Sequence, residues 1–181
     1  MNKSHLNSVV FFLETLGVGV WIGALVTFGF AVAAPVFRGL PSVTLAGSIT
    51  AQVLHRINVL ETVCAILMVL GTLVFLAQRE QRTTIRILKA VIVGFMAGIF
   101  LYYGVTLMNR MEYLRTEEIK NFDQFEESTR AARDEFDRLH KRYSRLASAN
   151  VWLGVGFLLL SGFERKGGVR NEGQGAEIAR G

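Results

Sequence analysis

Residues 109–145 read NRMEYLRTEEIKNFDQFEESTRAARDEFDRLHKRYSR, and this hydrophilic stretch decides the fold because of what flanks it. Three long apolar segments precede it, at about 9–36, 53–77 and 85–108, and one follows, at about 146–163. A membrane-crossing helix needs roughly 20 mostly apolar residues. The layout therefore predicts an all-α membrane protein: a four-helix transmembrane bundle in one domain over residues 1–163, with nearly all of its water-soluble mass between the third and fourth spans. The remainder, 164–181, is rich in glycine and charge and reads as a disordered tail.

The hydrophilic stretch is not a random tether. Phe125, Ala132, Phe136, Leu139, Tyr143 and Leu146 recur at steps of seven, four, three, four and three, with charged residues around them. That spacing predicts an amphipathic helix that runs into the fourth span and packs on the end of the third. Its charges balance, nine basic against nine acidic. A partner-binding role for this helical loop is a further alternative.

Of the 181 residues 51% are hydrophobic, so unevenly distributed that a soluble domain is excluded. The lone Cys64 permits no intramolecular disulfide and reads as a small core hydrophobe. Lys3 and the Ala31-Val32-Ala33 run mimic a signal peptide, but the apolar run exceeds a signal's roughly 7 to 15 residues, so a retained span is expected. Lys3, Arg79, Arg82, Arg86, Lys89, Arg165, Lys166, Arg170 and Arg180 share one side of a four-span topology, which puts both termini in the cytoplasm. The basic residues of 109–145 weigh against that orientation. The net charge of +5 is explained by topology and anionic lipid, with no nucleic-acid partner implied. No phosphate loop, nucleophile elbow or HExxH motif is present, so no enzyme chemistry is indicated. Gly19 with Gly23 and Gly94 with Gly98 fit GxxxG and predict close helix packing, within the bundle or in a homo-oligomer or other membrane partnership.

Ionisable residues inside spans are costly and mark candidate functional positions. Glu14, Arg86 and Lys89 fall near one membrane face and are expected to form a structural ion pair. On the opposite face, His55, Asn58, Glu61 and Thr62 share one side of the second helix, and His140, Tyr143, Ala147 and Asn150 share one side of the fourth. Together with Ser144 these outline a candidate polar pocket. His55 and His140, with Met108 and Met111 at its rim, are candidate ligands for copper or haem iron. Glu61 with a histidine is the alternative, a proton relay for handling a small solute or metal ion. Hydrogen bonding that merely ties helix ends together would also explain them.

Trp21-Ile22-Gly23, Phe28 and Ala34-Pro35-Val36-Phe37, followed much later by Phe136, Leu139-His140, Ser144 and Asn150, form a pattern that resembles the transmembrane protein 205-like family. Its bacterial members are catalogued as a domain of unknown function (number 4149). The resemblance covers roughly residues 9–163 and implies a four-helix integral membrane protein without established activity, in a bacterial inner membrane, with metal or drug export as the function it hints at. It gives weight to Trp21, Gly23, Pro35, Phe37, Phe136, Leu139 and His140. Tyr143 departs from the pattern by setting Ser144 four residues after His140 rather than three. Pro35 is expected to end or kink the first span.

Overall fold

The computed structural model describes the backbone of residues 3–78 and 83–178, and the side chains of 5–78 and 83–164. Of the expected disordered tail, the backbone is helical through Ile178; its side chains after Glu164, and residues 179–181 altogether, lie outside the described residues. Four helices are long and apolar enough to cross a membrane: α1 (His5–Gly39), α2 (Val43–Ala77), α3 (Thr84–Ile119) and α4 (Glu127–Glu164). Each has at least 35 residues, about 50 Å at 1.5 Å per residue. A bilayer's hydrocarbon core is only about 30 Å thick. The apolar segments are thus parts of longer helices. Segments 53–77 and 146–163 are the C-terminal parts of α2 and α4, and 85–108 is the N-terminal part of α3, so these helices project from the membrane at their other ends.

The projection is largest at one end. The stretch 109–145 is a helical hairpin: α3 continues to Ile119 and α4 starts at Glu127. Leu114, Ile119 and Ala132 form a small core of their own, with Phe122, Phe136 and Leu139 packed against it. Arg110 donates to both carboxylate oxygens of Glu135 across the hairpin, at 2.8 and 2.9 Å. Phe125 departs from the expected stripe. It precedes α4, in the turn, and stays 66% exposed.

That turn is held from both sides. The Arg133 guanidinium donates to the carbonyls of Phe122, Asn121 and Gln124. Lys120 takes a left-handed φ of 56° to end α3. Asp123 then reaches the start of α2, accepting from the Ser42 hydroxyl and the Val43 amide, both at 2.6 Å. Ser42 itself caps α2 by accepting from the Leu45 amide. These bonds hold the Asp123 carboxyl below the usual carboxylate range, the Ser42 hydroxyl chief among the causes. The hairpin is therefore docked on the α1–α2 turn.

Two expectations are corrected here. Pro35 does not end the first span, because a wide π-helical turn at Phe28–Ala33 precedes it and Pro35 falls in the first turn of the next helical segment, Ala34–Gly39. Pro35 has no N–H to give to the helical ladder, and the π turn is where that ladder changes its spacing just before it. The GxxxG glycines do not mediate close packing within the bundle either. A Cβ on Gly19, Gly23, Gly94 or Gly98 would meet nothing within 4 Å, since these positions face outward. The close approaches occur at Gly71, where a Cβ would lie 2.8 Å from Glu14 Cγ, and at Gly154, where it would lie 2.7 Å from Ile22 Cδ1.

The inner stripe of α3, Met96, Phe100, Tyr103 and Leu107, packs with Trp21, Met68 and Phe157 to make the main core, and Cys64 is buried among them. The outward faces carry exposed Phe12, Phe30, Phe95, Leu101 and Trp152. Such a belt is the composition of a lipid-facing surface.

Candidate functional site

Two buried polar clusters occupy the bundle, and they differ in charge balance. The first lies at the end away from the hairpin. Lys89 Nζ is 3.0 Å from Glu164 Oε2 and 3.4 Å from Glu14 Oε2, and Arg86 Nε is 2.6 Å from Glu164 Oε1. Thr72 of α2 donates to Glu14 Oε1 at 3.1 Å. The Lys89 ammonium also sits over the Phe157 ring at 4.7 Å. All four helices thus meet at one ion network. The expected partners Glu14, Arg86 and Lys89 are all in it. Glu164, which sequence reading assigned to the tail, is the anion that joins the two cations.

The second cluster surrounds Glu61, whose side chain is fully buried. Its Oε1 accepts from Trp21 Nε1 at 2.6 Å and also from the Tyr103 hydroxyl. Asn150, fully buried as well, donates to the Met96 carbonyl at 3.1 Å and lies 3.5 Å from the Tyr103 hydroxyl. Asn58 donates to the Gly104 carbonyl and to Met108 Sδ. The Tyr143 ring meets Tyr103 edge-on at 5.0 Å. Four buried oxygens in this region have no hydrogen-bond partner: Glu61 Oε2, Asn58 Oδ1, Asn150 Oδ1 and the Tyr143 hydroxyl. Buried polar atoms are normally bonded, so this concentration marks the place.

The expected pocket is redrawn by these contacts. Asn58, Glu61, Tyr143 and Asn150 are buried, whereas His55, His140 and Ser144 are exposed. His55 sits nearly a full turn before Asn58 and turns out of the bundle, as does Thr62. His140 stacks on Phe136 at 6.2 Å, and Ser144 donates to the His140 carbonyl on its own helix. His55, Glu61 and His140 therefore do not converge. Among the described residues no group of three His, Cys, Asp or Glu side chains could hold a metal ion. Of the proposed ligands, Met108 accepts from Asn58 and Met111 is buried in the core.

Of the pattern residues, Trp21 reaches the site; Gly23, Pro35 and Phe37 face outward, and Phe136 and Leu139 serve the hairpin core. Tyr103 escaped sequence reading, although its place on the Met96–Phe100–Tyr103–Leu107 stripe signals an inward phenol. Beside the cluster, at the hairpin end, a groove of about 830 Å³ opens outward; Phe28, Phe37, Leu54, Met108, Tyr143 and Val151 are on its walls.

A family model for a domain of unknown function, DUF4149, matches residues 16–119. The chain belongs to the DUF4149 family. No curated protein and no solved structure matches it. The DUF4149 match spans α1 from Leu16 through the end of α3, so Trp21, Asn58, Glu61 and Tyr103 lie inside it. Tyr143 and Asn150, supplied by α4, lie beyond the matched DUF4149 segment. The protein is thus a multi-pass membrane protein of a family without an assigned activity, in contact with the lipid bilayer through its four apolar helices.

Proposed function

We propose that this protein is a non-enzymatic membrane protein that handles a small solute or ion, with Glu61 as the group that takes up and releases the coupling proton. The observation that carries the reading is a fully buried carboxyl group, within a membrane span, with no cationic partner among the described residues. An ionisable side chain so placed is costly, and such residues line ion and proton pathways. A carboxylate at Glu61 has no counter-charge to offset it. A proton, or a cation arriving with a solute, is what the site can accept. Trp21 and Tyr103 orient one oxygen and leave the other without a partner. Tyr143 and Asn150 put further unpartnered oxygens on α4 in the same region.

We place the protein in a bacterial inner membrane, on its family resemblance, and both termini in the cytoplasm, following its lysine and arginine distribution. The hairpin then projects on the opposite side. Infrared difference spectroscopy on the protein in proteoliposomes, across an imposed pH step, tests the proton assignment. A buried carboxyl band should titrate in the wild type and be missing in Glu61→Gln. A wild-type spectrum with no band that depends on Glu61 would refute it.

A further inference from the structure

We infer that the groove beside the hairpin is a binding site for one zwitterionic phospholipid, with its ammonium at Asp137, its phosphate at His140 and an acyl chain along the inner wall. This stands independently of the role given to Glu61. The groove's volume, about 830 Å³, is at the upper end for ligand pockets and has room for a headgroup with part of an acyl chain. It crosses the boundary between the projecting hairpin and the apolar part of α4. On α4 its lining changes in order from Asp137, His140 and Ser144 to Ala147, Val151 and Trp152. Trp152 is 74% exposed and faces the bilayer.

The order of charges selects the headgroup. Opposite α4, Arg115 and Glu112 also line the groove, but they neutralise each other through two hydrogen bonds of 2.5 and 3.1 Å. Asp137 has no hydrogen bond or ion pair among the described residues, so it is the uncompensated charge at the mouth. His140 lies three residues deeper, about 4.5 Å along the helix axis. Its ring nitrogens have no partner among the described residues. An anion outermost and an imidazole donor one step inward mirror a headgroup whose ammonium is outermost and whose phosphate is next. An anionic lipid would instead bring its charge to the Asp137 carboxylate. Farther in, the Tyr143 side chain closes the groove wall at the depth where α4 turns apolar.

Native mass spectrometry of the delipidated full chain tests this, with equimolar phosphatidylethanolamine and phosphatidylglycerol of identical acyl chains as probes. One phosphatidylethanolamine should be retained over phosphatidylglycerol by about tenfold, the worth of one charge-assisted hydrogen bond. Asp137→Asn should bring the ratio to near parity. Asp137 is exposed, so this variant keeps its fold. Ser148→Trp, at an exposed position on the groove wall, should lower retention of both lipids. Parity or a phosphatidylglycerol preference in the wild type overturns the proposal. So does a ratio unchanged in Asp137→Asn, or retention unchanged in Ser148→Trp.

Discussion

Replacing Lys89 by Met tests the reasoning about the ion network most directly. The variant keeps the aliphatic stem and removes the ammonium from a side chain that is only 5% exposed. Glu164 retains Arg86 at 2.6 Å, so the group left without a counter-charge is Glu14, 2% exposed. At the 3.4 Å separation of Lys89 and Glu14, Coulomb's law with an effective dielectric of about 20 gives a gross attraction of about 5 kcal/mol. The net loss should be smaller, about 3 kcal/mol, the low end for breaking a buried pair. Groups in the unfolded membrane-bound chain also find partners, which reduces the difference. The double variant Lys89→Met with Glu14→Gln removes the orphaned charge and should recover most of that loss. Reversible unfolding by SDS in mixed micelles, followed by circular dichroism, gives the free energies. A loss below about 1 kcal/mol in Lys89→Met, or no recovery in the double variant, would refute the view that the network is held by compensated charge.

The packing account makes a paired prediction: Gly154→Ala, whose new Cβ would fall 2.7 Å from Ile22 Cδ1, should cost about 1 to 3 kcal/mol in the same assay. Gly98→Ala, with nothing within 4 Å, should be neutral or slightly stabilising, and equal costs at the two sites would contradict the assignment of faces. The docked hairpin should show a pH dependence through Asp123. Its carboxyl is depressed in the folded state from an ordinary value of 3.8. The stabilisation is therefore complete above about pH 4 and is lost as pH falls below it. Hydrogen exchange of the Val43 amide should accelerate over that acid range relative to its intrinsic rate, and Asp123→Asn should show no such added acid dependence.

The fold was legible because apolar length is a strong signal and the amphipathic spacing from Ala132 to Leu146 is a regular one. Which face of each span turns inward was much less legible. Inside a bilayer both faces of a helix are apolar, so periodicity no longer separates core from surface. Gly19, Gly23, Gly94 and Gly98 illustrate the failure: their spacing is that of a packing motif, yet they face outward. His55 and Asn58 show the same difficulty, since a broad polar face on a wheel splits into one exposed and one buried residue. Buried polar residues fared better. Asn58, Glu61, Tyr143 and Asn150 were all selected from sequence, because a polar side chain in a span must find a reason to be there. Tyr103 was missed since a tyrosine in an apolar helix carries little signal of its own. Contact with Glu61 is what gives it a role.

Glu14 and Glu61 look alike in the sequence, each a carboxylate inside a greasy helix, and the structure separates them by their neighbours. Glu14 faces Lys89 and its charge is matched, which is what a structural element needs. Glu61 meets only neutral donors, with one oxygen left over. If Glu61 were present for stability, an uncharged amide would weaken the fold. If it is present for chemistry, Glu61→Gln should be tolerated or even stabilising. The amide oxygen can still accept from Trp21 and Tyr103, and the amide nitrogen supplies a donor where Glu61 Oε2 has no partner. The expected change in unfolding free energy lies within about 1 kcal/mol of the wild type, in either direction, while the titrating carboxyl band disappears. A destabilisation above about 2 kcal/mol would mean that the carboxylate itself holds the helices together. The resemblance between the two clusters would then outweigh their difference in charge.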